Sequence, residues 1–422
     1  MLFVCNLLTV IISSFFLFYN LKKVKKGKMG IMVGANFVFY VAQVLPIIFN
    51  LFSEVSHDMR SYPQMYAALL DEKTNYYYCL FVVLMFFGFG YADKKLKKYE
   101  SVSMYNADLG SLIKKLWRNK IIQLIIIGGM FLPILMVLFA PDPMVYTHFA
   151  YFYRFNVSST SLVYLYHQNV MPFFMFATFS FCMLKYFCSN KKYQFDVYLS
   201  IIISTWIEGK RSVLAFSLFG ILAIDFFKNM NRKDIKKLIR KAILFSVIIV
   251  SFFAIYRGIT GKNSNSTVGL LYTVYFDKSS CVKTAIYDKL YTNSILEYPG
   301  QSFLFLLTFW IPRSIWLSKP YLYCKYFTSY VMGVDYQLNW NLLVNSETEF
   351  ISSFGFWGVP LVIIFMYYIA KISIKSNNRY QYFLGMLFIY LYLIFGFEVY
   401  LEIIWLAWLA LYIISKVRLK RG

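Results

Sequence analysis

Long apolar runs recur along this chain, many of them close to the roughly 20 residues a helix needs to cross a bilayer, with charge confined to short clusters between them. Eleven such segments can be marked, at about 2–21, 29–52, 76–92, 121–140, 169–188, 197–207, 212–227, 242–260, 356–370, 381–397 and 401–415. The pattern predicts an all-α integral membrane protein with about 11 transmembrane helices. Only 15% of the 422 residues are charged, against about 25% in a soluble protein, which excludes a soluble globular enzyme and a disordered chain. The net charge of +23 does not point to nucleic acid. A binding face gathers basic residues on one folded surface, whereas these fill the gaps between apolar runs.

Those gaps set an orientation. Lys22, Lys23, Lys25, Lys26 and Lys28 follow the first segment rather than precede it, which predicts a retained span with its N-terminus outside. Alternating from there, 30 of the 43 basic residues fall in cytoplasmic gaps, while the acidic residues gather outside. Since one missed crossing would invert every later loop, the positive-inside rule favours the whole count. The expected division is 1–260 with transmembrane helices 1–8, 261–355 as a large extracytoplasmic loop, and 356–422 with helices 9–11 and a cytoplasmic C-terminus. The loop of about 95 residues is expected to carry short amphipathic, surface-lying or re-entrant helices and to form a lid, because long loops are usually functional. Among Cys5, Cys79, Cys182, Cys188, Cys281 and Cys324 there is no metal-ligand spacing, and Cys281 and Cys324 are the pair that shares an outer loop.

Segments six and seven are short, and between them stands Glu208-Gly209-Lys210-Arg211-Ser212. Two short arms form a broken hairpin near 208–212 that leaves Lys210 and Arg211 at or below headgroup level, where cations need anionic partners. Gly209 permits the break, and the helix starting at Ser212 offers unpaired amides. This composition suits a phosphate seat. The plainer alternative is that Glu208 pairs with Lys210 or Arg211 and the group reaches the surface. Arg257 and Arg313 are expected on the same side, and a diphosphate can recruit several guanidiniums.

Gly209-Lys210-Arg211-Ser212, then Ile311-Pro312-Arg313-Ser314 running on to Lys319-Pro320, then Glu349-Phe350-Ile351-Ser352-Ser353-Phe354-Gly355, resembles the bacterial oligosaccharide repeat unit polymerases of the O-antigen polymerase (Wzy) family, over roughly residues 200–370. The resemblance implies a metal-independent membrane glycosyltransferase without a cofactor, in the bacterial cytoplasmic membrane with its site facing outward. Such enzymes join repeat units carried on undecaprenyl diphosphate into O-antigen, capsule or exopolysaccharide. Donor and acceptor lipids would be the partners, with a chain-length regulator protein as a further candidate and no nucleic acid. Arg211 and Arg313 match the family's cationic residues and Glu349 its acidic one. The ligase relatives use a histidine in their large outer loop, and residues 261–355 contain none.

The chemistry needs a base at a sugar hydroxyl and cations at the departing diphosphate. Glu349, then Glu347, is the candidate base. The alternative is that either carboxylate only neutralises an arginine. Lys210, Arg211, Arg257, Arg313 and Lys319 are the candidate phosphate-binding cations. One base and no nucleophile pair implies inversion at the anomeric carbon. Trp316, Tyr321, Tyr323 and Arg154 are candidates for glycan contact, although interfacial Trp and Tyr also form ordinary aromatic belts. His57, His148 and His167 read as outer-loop residues. Two other functions remain: a ligase-like glycan transferase, and a flippase or transporter of the same lipid, against which stands the lack of an evident internal repeat.

Overall fold

The computed structural model describes residues 2–25, 30–52, 62–99, 117–155, 157–158, 160–188, 194–228, 232–259, 277–308, 311, 315–334, 341–376, 379–396 and 404–413; several helical side chains, those of Arg154, Arg211 and Arg257 among them, fall outside it. All regular structure among the described residues is helical. Among the described residues, five helical stretches are long and apolar enough to cross a membrane: Leu2–Val24, Ile31–Leu51, Glu72–Leu96, Leu162–Cys188 and Ser346–Lys375, the last of them broken at Gly355. A bent pair, Lys120–Met130 with Leu132–Leu138, makes six if it is one span.

Among the described residues the expected eleven crossings are therefore not met, and for two of them, Phe195–Glu208 and Arg379–Phe395, the reason is length. Phe195–Glu208 has 14 residues, a rise of about 21 Å against a hydrocarbon core of roughly 30 Å. Arg379–Phe395 has 17 residues. The segment expected as one span at 121–140 bends by 54°. Pro133 near the start of its second helix lacks the amide that would continue the first.

Two compact units make up the chain: residues 1–106 with 269–422, and residues 107–268. The first is built around Ile31–Phe39, where Phe39 meets the rings of Phe81, Phe86 and Phe89 edge-on at 5.7, 5.3 and 5.6 Å. Glu72–Leu96 and Arg379–Phe395 flank that helix, and Leu2–Lys25 and Gly358–Lys375 pack on Glu72–Leu96 in turn. Lys23 and Asp93 close the far ends of their helices with a 2.6 Å ion pair.

Midway along the second span the helix widens into a π turn, Tyr40–Val44. Such a turn displaces backbone carbonyls from the regular ladder, and both are answered. The Tyr78 hydroxyl lies 2.7 Å from the Gln43 carbonyl oxygen, and the Lys278 amide donates to the Ala42 carbonyl at 3.0 Å.

In the second unit Leu162–Cys188 packs against Lys120–Met130, Leu132–Leu138 and Phe195–Glu208, and Arg211–Lys228 packs against Arg232–Ile259. Asp225 accepts from the Tyr186 hydroxyl at 2.9 Å and from Lys241 at 2.5 Å, joining three of these helices.

Candidate functional site

The expected short helices of the long loop are present as Ser279–Tyr287, Gln301–Thr308, Tyr323–Met332 and Ser346–Phe354. They are not all surface-lying. Ser279 through Ile286 and Ser346 through Ser353 are buried on every side of their helices. An amphipathic helix buries one stripe; these bury serines, threonines, a lysine and two glutamates as well.

Ser346–Phe354 carries the candidate base. It packs against Ser279–Tyr287, Gly358–Lys375 and Arg379–Phe395. Asn345 Nδ2 donates to Glu347 Oε2 at 2.6 Å and the Ser346 hydroxyl donates to the same oxygen at 3.1 Å. The Thr348 hydroxyl in turn donates to Asn345 Oδ1, which orients the amide. Glu347 is thus held by one oxygen, while its Oε1 has no partner among the described residues, and neither has Glu349 Oε2. The buried Ser353 hydroxyl likewise has no partner among the described residues.

Glycines shape the way out of this helix. Gly355 adopts φ +59° and ψ −141°, a conformation open essentially to glycine alone, and turns the chain into Gly358–Lys375. Gly396, at φ +62°, ends Arg379–Phe395 hard against the segment entering the carboxylate helix: a β-carbon there would lie 2.4 Å from the Val344 carbonyl oxygen.

Asp288 locks the turn after the other buried helix. Its Oδ1 accepts from the Thr292 hydroxyl at 2.6 Å and from the Ser294 amide at 2.7 Å. Burial pushes the Cys281 thiol up to about 11. Cys281 and Cys324 lie in one apolar cluster with no disulfide between them.

The remaining candidates of this unit are placed differently from one another. Tyr323 is buried, with its hydroxyl 2.6 Å from that of Ser352, so its ring is enclosed rather than open to a sugar. Lys319 is also buried; its ammonium donates to the Ile311 carbonyl at 2.8 Å and lies 4.8 Å from the Phe305 ring centre. Trp316 donates to the Ser318 hydroxyl at 2.9 Å, and the Tyr321 amide donates to the Tyr326 hydroxyl at 3.0 Å. Arg313 lies outside the described residues.

Lys210, Arg211, Arg257 and Arg154 belong to the other unit. The break expected at 208–212 is there: Phe195–Glu208 ends, Gly209 caps it at φ +67°, and a new helix begins at Arg211. Lys210 pairs with Glu208 at 2.7 Å. Glu208 is only 5% exposed, and its Oε2 has no partner among the described residues. The carboxylate of this pair therefore stays buried rather than reaching the surface.

His167, read from sequence as a loop residue, lies inside Leu162–Cys188 at 1% exposure. It stacks on Phe152 at 4.2 Å and approaches the Tyr146 hydroxyl through Nδ1 at 3.5 Å, and its Nε2 has no partner among the described residues. Burial, with Tyr166 and Glu208 nearby, raises the Tyr146 hydroxyl above its ordinary value. The apolar run at 169–188 begins seven residues after the helix does, which is why His167 falls inside the helix rather than in the outer loop.

Membrane-length apolar helices, with two buried polar helices packed against them, define a class: a helical membrane protein with a partly polar interior. Comparisons with protein-family models, curated proteins and solved structures give no match for the chain.

Proposed function

We propose that the protein is a membrane glycosyltransferase that polymerises oligosaccharide repeat units carried on undecaprenyl diphosphate into a surface polysaccharide, at the outer face of a bacterial cytoplasmic membrane. The observation that supports it best is the helix Ser346–Phe354, buried throughout, with Glu347 and Glu349 each keeping an oxygen free of any partner among the described residues. Leaving such oxygens unmatched away from water is costly. They suit a site where a sugar hydroxyl arrives and yields its proton.

In this reading Glu349 takes the proton of the acceptor hydroxyl as its oxygen attacks the anomeric carbon of the donor glycan, and the diphosphate leaves with the bonding pair. Glu347, fixed through Asn345 and Ser346, orients the acceptor. Within the unit that holds Glu349, Arg313 is the proposed phosphate ligand, and Lys319 is a weaker candidate because the Ile311 carbonyl already engages it.

The length of the surface glycan tests the reading. Deletion of a polymerase leaves single repeat units. Deletion that leaves no surface glycan would indicate a flippase, and polymer retained on its lipid would indicate a ligase-like transferase.

A further inference from the structure

Ser279–Tyr287 is the hub of its unit, packed on Pro63–Leu70, Glu72–Leu96, Ser346–Phe354 and the π turn Tyr40–Val44. At its centre stands Lys283, 7% exposed. Its ammonium makes no ion pair or hydrogen bond among the described residues; the contact it does make is with the face of Tyr78, 4.9 Å from Nζ to the ring centre. That ring is fixed, because the Tyr78 hydroxyl is engaged by Gln43 at 2.7 and 2.9 Å.

Other lysines in this unit are provided for. Lys23 pairs with Asp93 at 2.6 Å, Lys278 donates to the Leu343 carbonyl at 3.1 Å, and Lys319 donates to the Ile311 carbonyl at 2.8 Å. Burial lowers the pKa of Lys283, with Asp277 and Cys79 opposing. An aromatic face returns less than an ammonium loses on leaving water. A leucine or methionine would fill the same place at lower cost, so the lysine is not there for packing.

We propose that Lys283 is the seat of a phosphate group that enters this unit from a bound lipid. An ammonium is a compact point charge with three donors and suits phosphate oxygens. Lys283 stands on the helix packed directly against the one carrying Glu347 and Glu349, so the anion it holds is brought beside the unmatched carboxylates. The identity of the ligand as the diphosphate of a lipid-linked glycan rests on the function proposed above. The seat itself does not.

The test uses the full chain in phosphatidylcholine nanodiscs and measures Tm with undecaprenyl diphosphate, undecaprenyl monophosphate, phosphatidylglycerol or inorganic pyrophosphate added. Wild-type Tm is expected to rise with undecaprenyl diphosphate. Lys283→Met is expected to raise the ligand-free Tm and to weaken binding at least tenfold. Lys283→Gln serves where the methionine variant does not fold, with the same loss of binding expected. A response to phosphatidylglycerol that these variants abolish supports the phosphate seat and assigns it to a headgroup. Wild-type affinity for every probe in the folded variants overturns the proposal, as does a wild type that responds to none of them. Binding lost in the variants, from a wild type that transfers no glycan, would instead overturn the polymerase reading and leave the seat standing.

Discussion

Gly358 presses so closely on Phe350 that a β-carbon on it would lie 2.3 Å from the Phe350 carbonyl oxygen. The carboxylate helix is thereby folded back on the first turn of the following span, through Gly355. Because the obstacle is backbone, it cannot rotate aside. Gly358→Ala is expected to lower stability by about 1–3 kcal/mol, read as a fall in Tm, and to displace Glu349 enough to impair transfer. Gly128 has nothing within 4 Å of its β position, so Gly128→Ala, a mid-helix change worth roughly 0.5–1 kcal/mol in favour of folding, should hold or raise Tm. A Gly358→Ala protein as stable and active as the wild type would show that the two helices are not coupled in this way.

The other unit has its own glycine test. Gly209 sits at φ +67°, and a β-carbon would lie 2.7 Å from the Ala150 α-carbon, while Ala150 itself holds φ 54°. Gly209→Ala should cost about 1–3 kcal/mol. Ala150→Gly, which relieves a left-handed alanine, should add about 1 kcal/mol. Urea or thermal unfolding of the purified protein in detergent measures both; equal stability of all three proteins would contradict the geometry of the break.

Glu349→Gln keeps the shape of the side chain and removes the proton-accepting carboxylate. If Glu349 is the base, single-turnover transfer of a synthetic lipid-linked repeat unit should fall by roughly 10²-fold or more while the donor still binds. A folded variant with a near-normal rate moves the role to Glu347, which is tested by the same substitution. Glu347→Gln is expected to be milder, because Asn345 and Ser346 can still hold a side-chain oxygen there.

Stability should depend on pH through Lys283. Its folded pKa lies below the ordinary 10.5, mainly through burial. The unfolded chain therefore binds the extra proton between the folded value and 10.5, and stability rises with pH across that window. Below it the full penalty of the buried charge remains. Tm of the ligand-free protein should climb toward pH 10 in the wild type and climb less in Lys283→Met. Parallel profiles would mean that Lys283 titrates as an exposed lysine does.

Hydropathy made the membrane-length helices legible, because a span of about 20 apolar residues is a signal carried by composition alone. It also found the break at Gly209, where two short apolar runs flank a glycine and two cations. It overcounted crossings where Phe195–Glu208 and Arg379–Phe395 are apolar yet too short, since a run of greasy residues does not fix helix length. Ser279–Tyr287 was hidden for the opposite reason. Its serines, threonine and lysine resemble those of a solvated loop, and only tertiary packing encloses them. Glu347 and Glu349 stand out in the sequence by their place before Gly355, but nothing in the order of residues foretells that Ser346 through Ser353 are all buried. The π turn at Tyr40–Val44 left no trace either, because its sequence is that of an ordinary apolar helix.

The first unit is discontinuous, and synthesis has to contend with that. Ile31–Phe39 finds a principal neighbour in Arg379–Phe395, made about 340 residues later in the chain. At roughly 5–20 residues per second, the early helix waits on the order of 17–70 s in the bilayer with its buried face, Asn36 included, turned to lipid or to temporary company. A ribosome stalled between the two leaves a fragment with half a core. Quality-control proteases and membrane insertases would meet that species routinely, and the fraction of chains that mature would depend on how long translation takes to reach Arg379 as well as on the final stability.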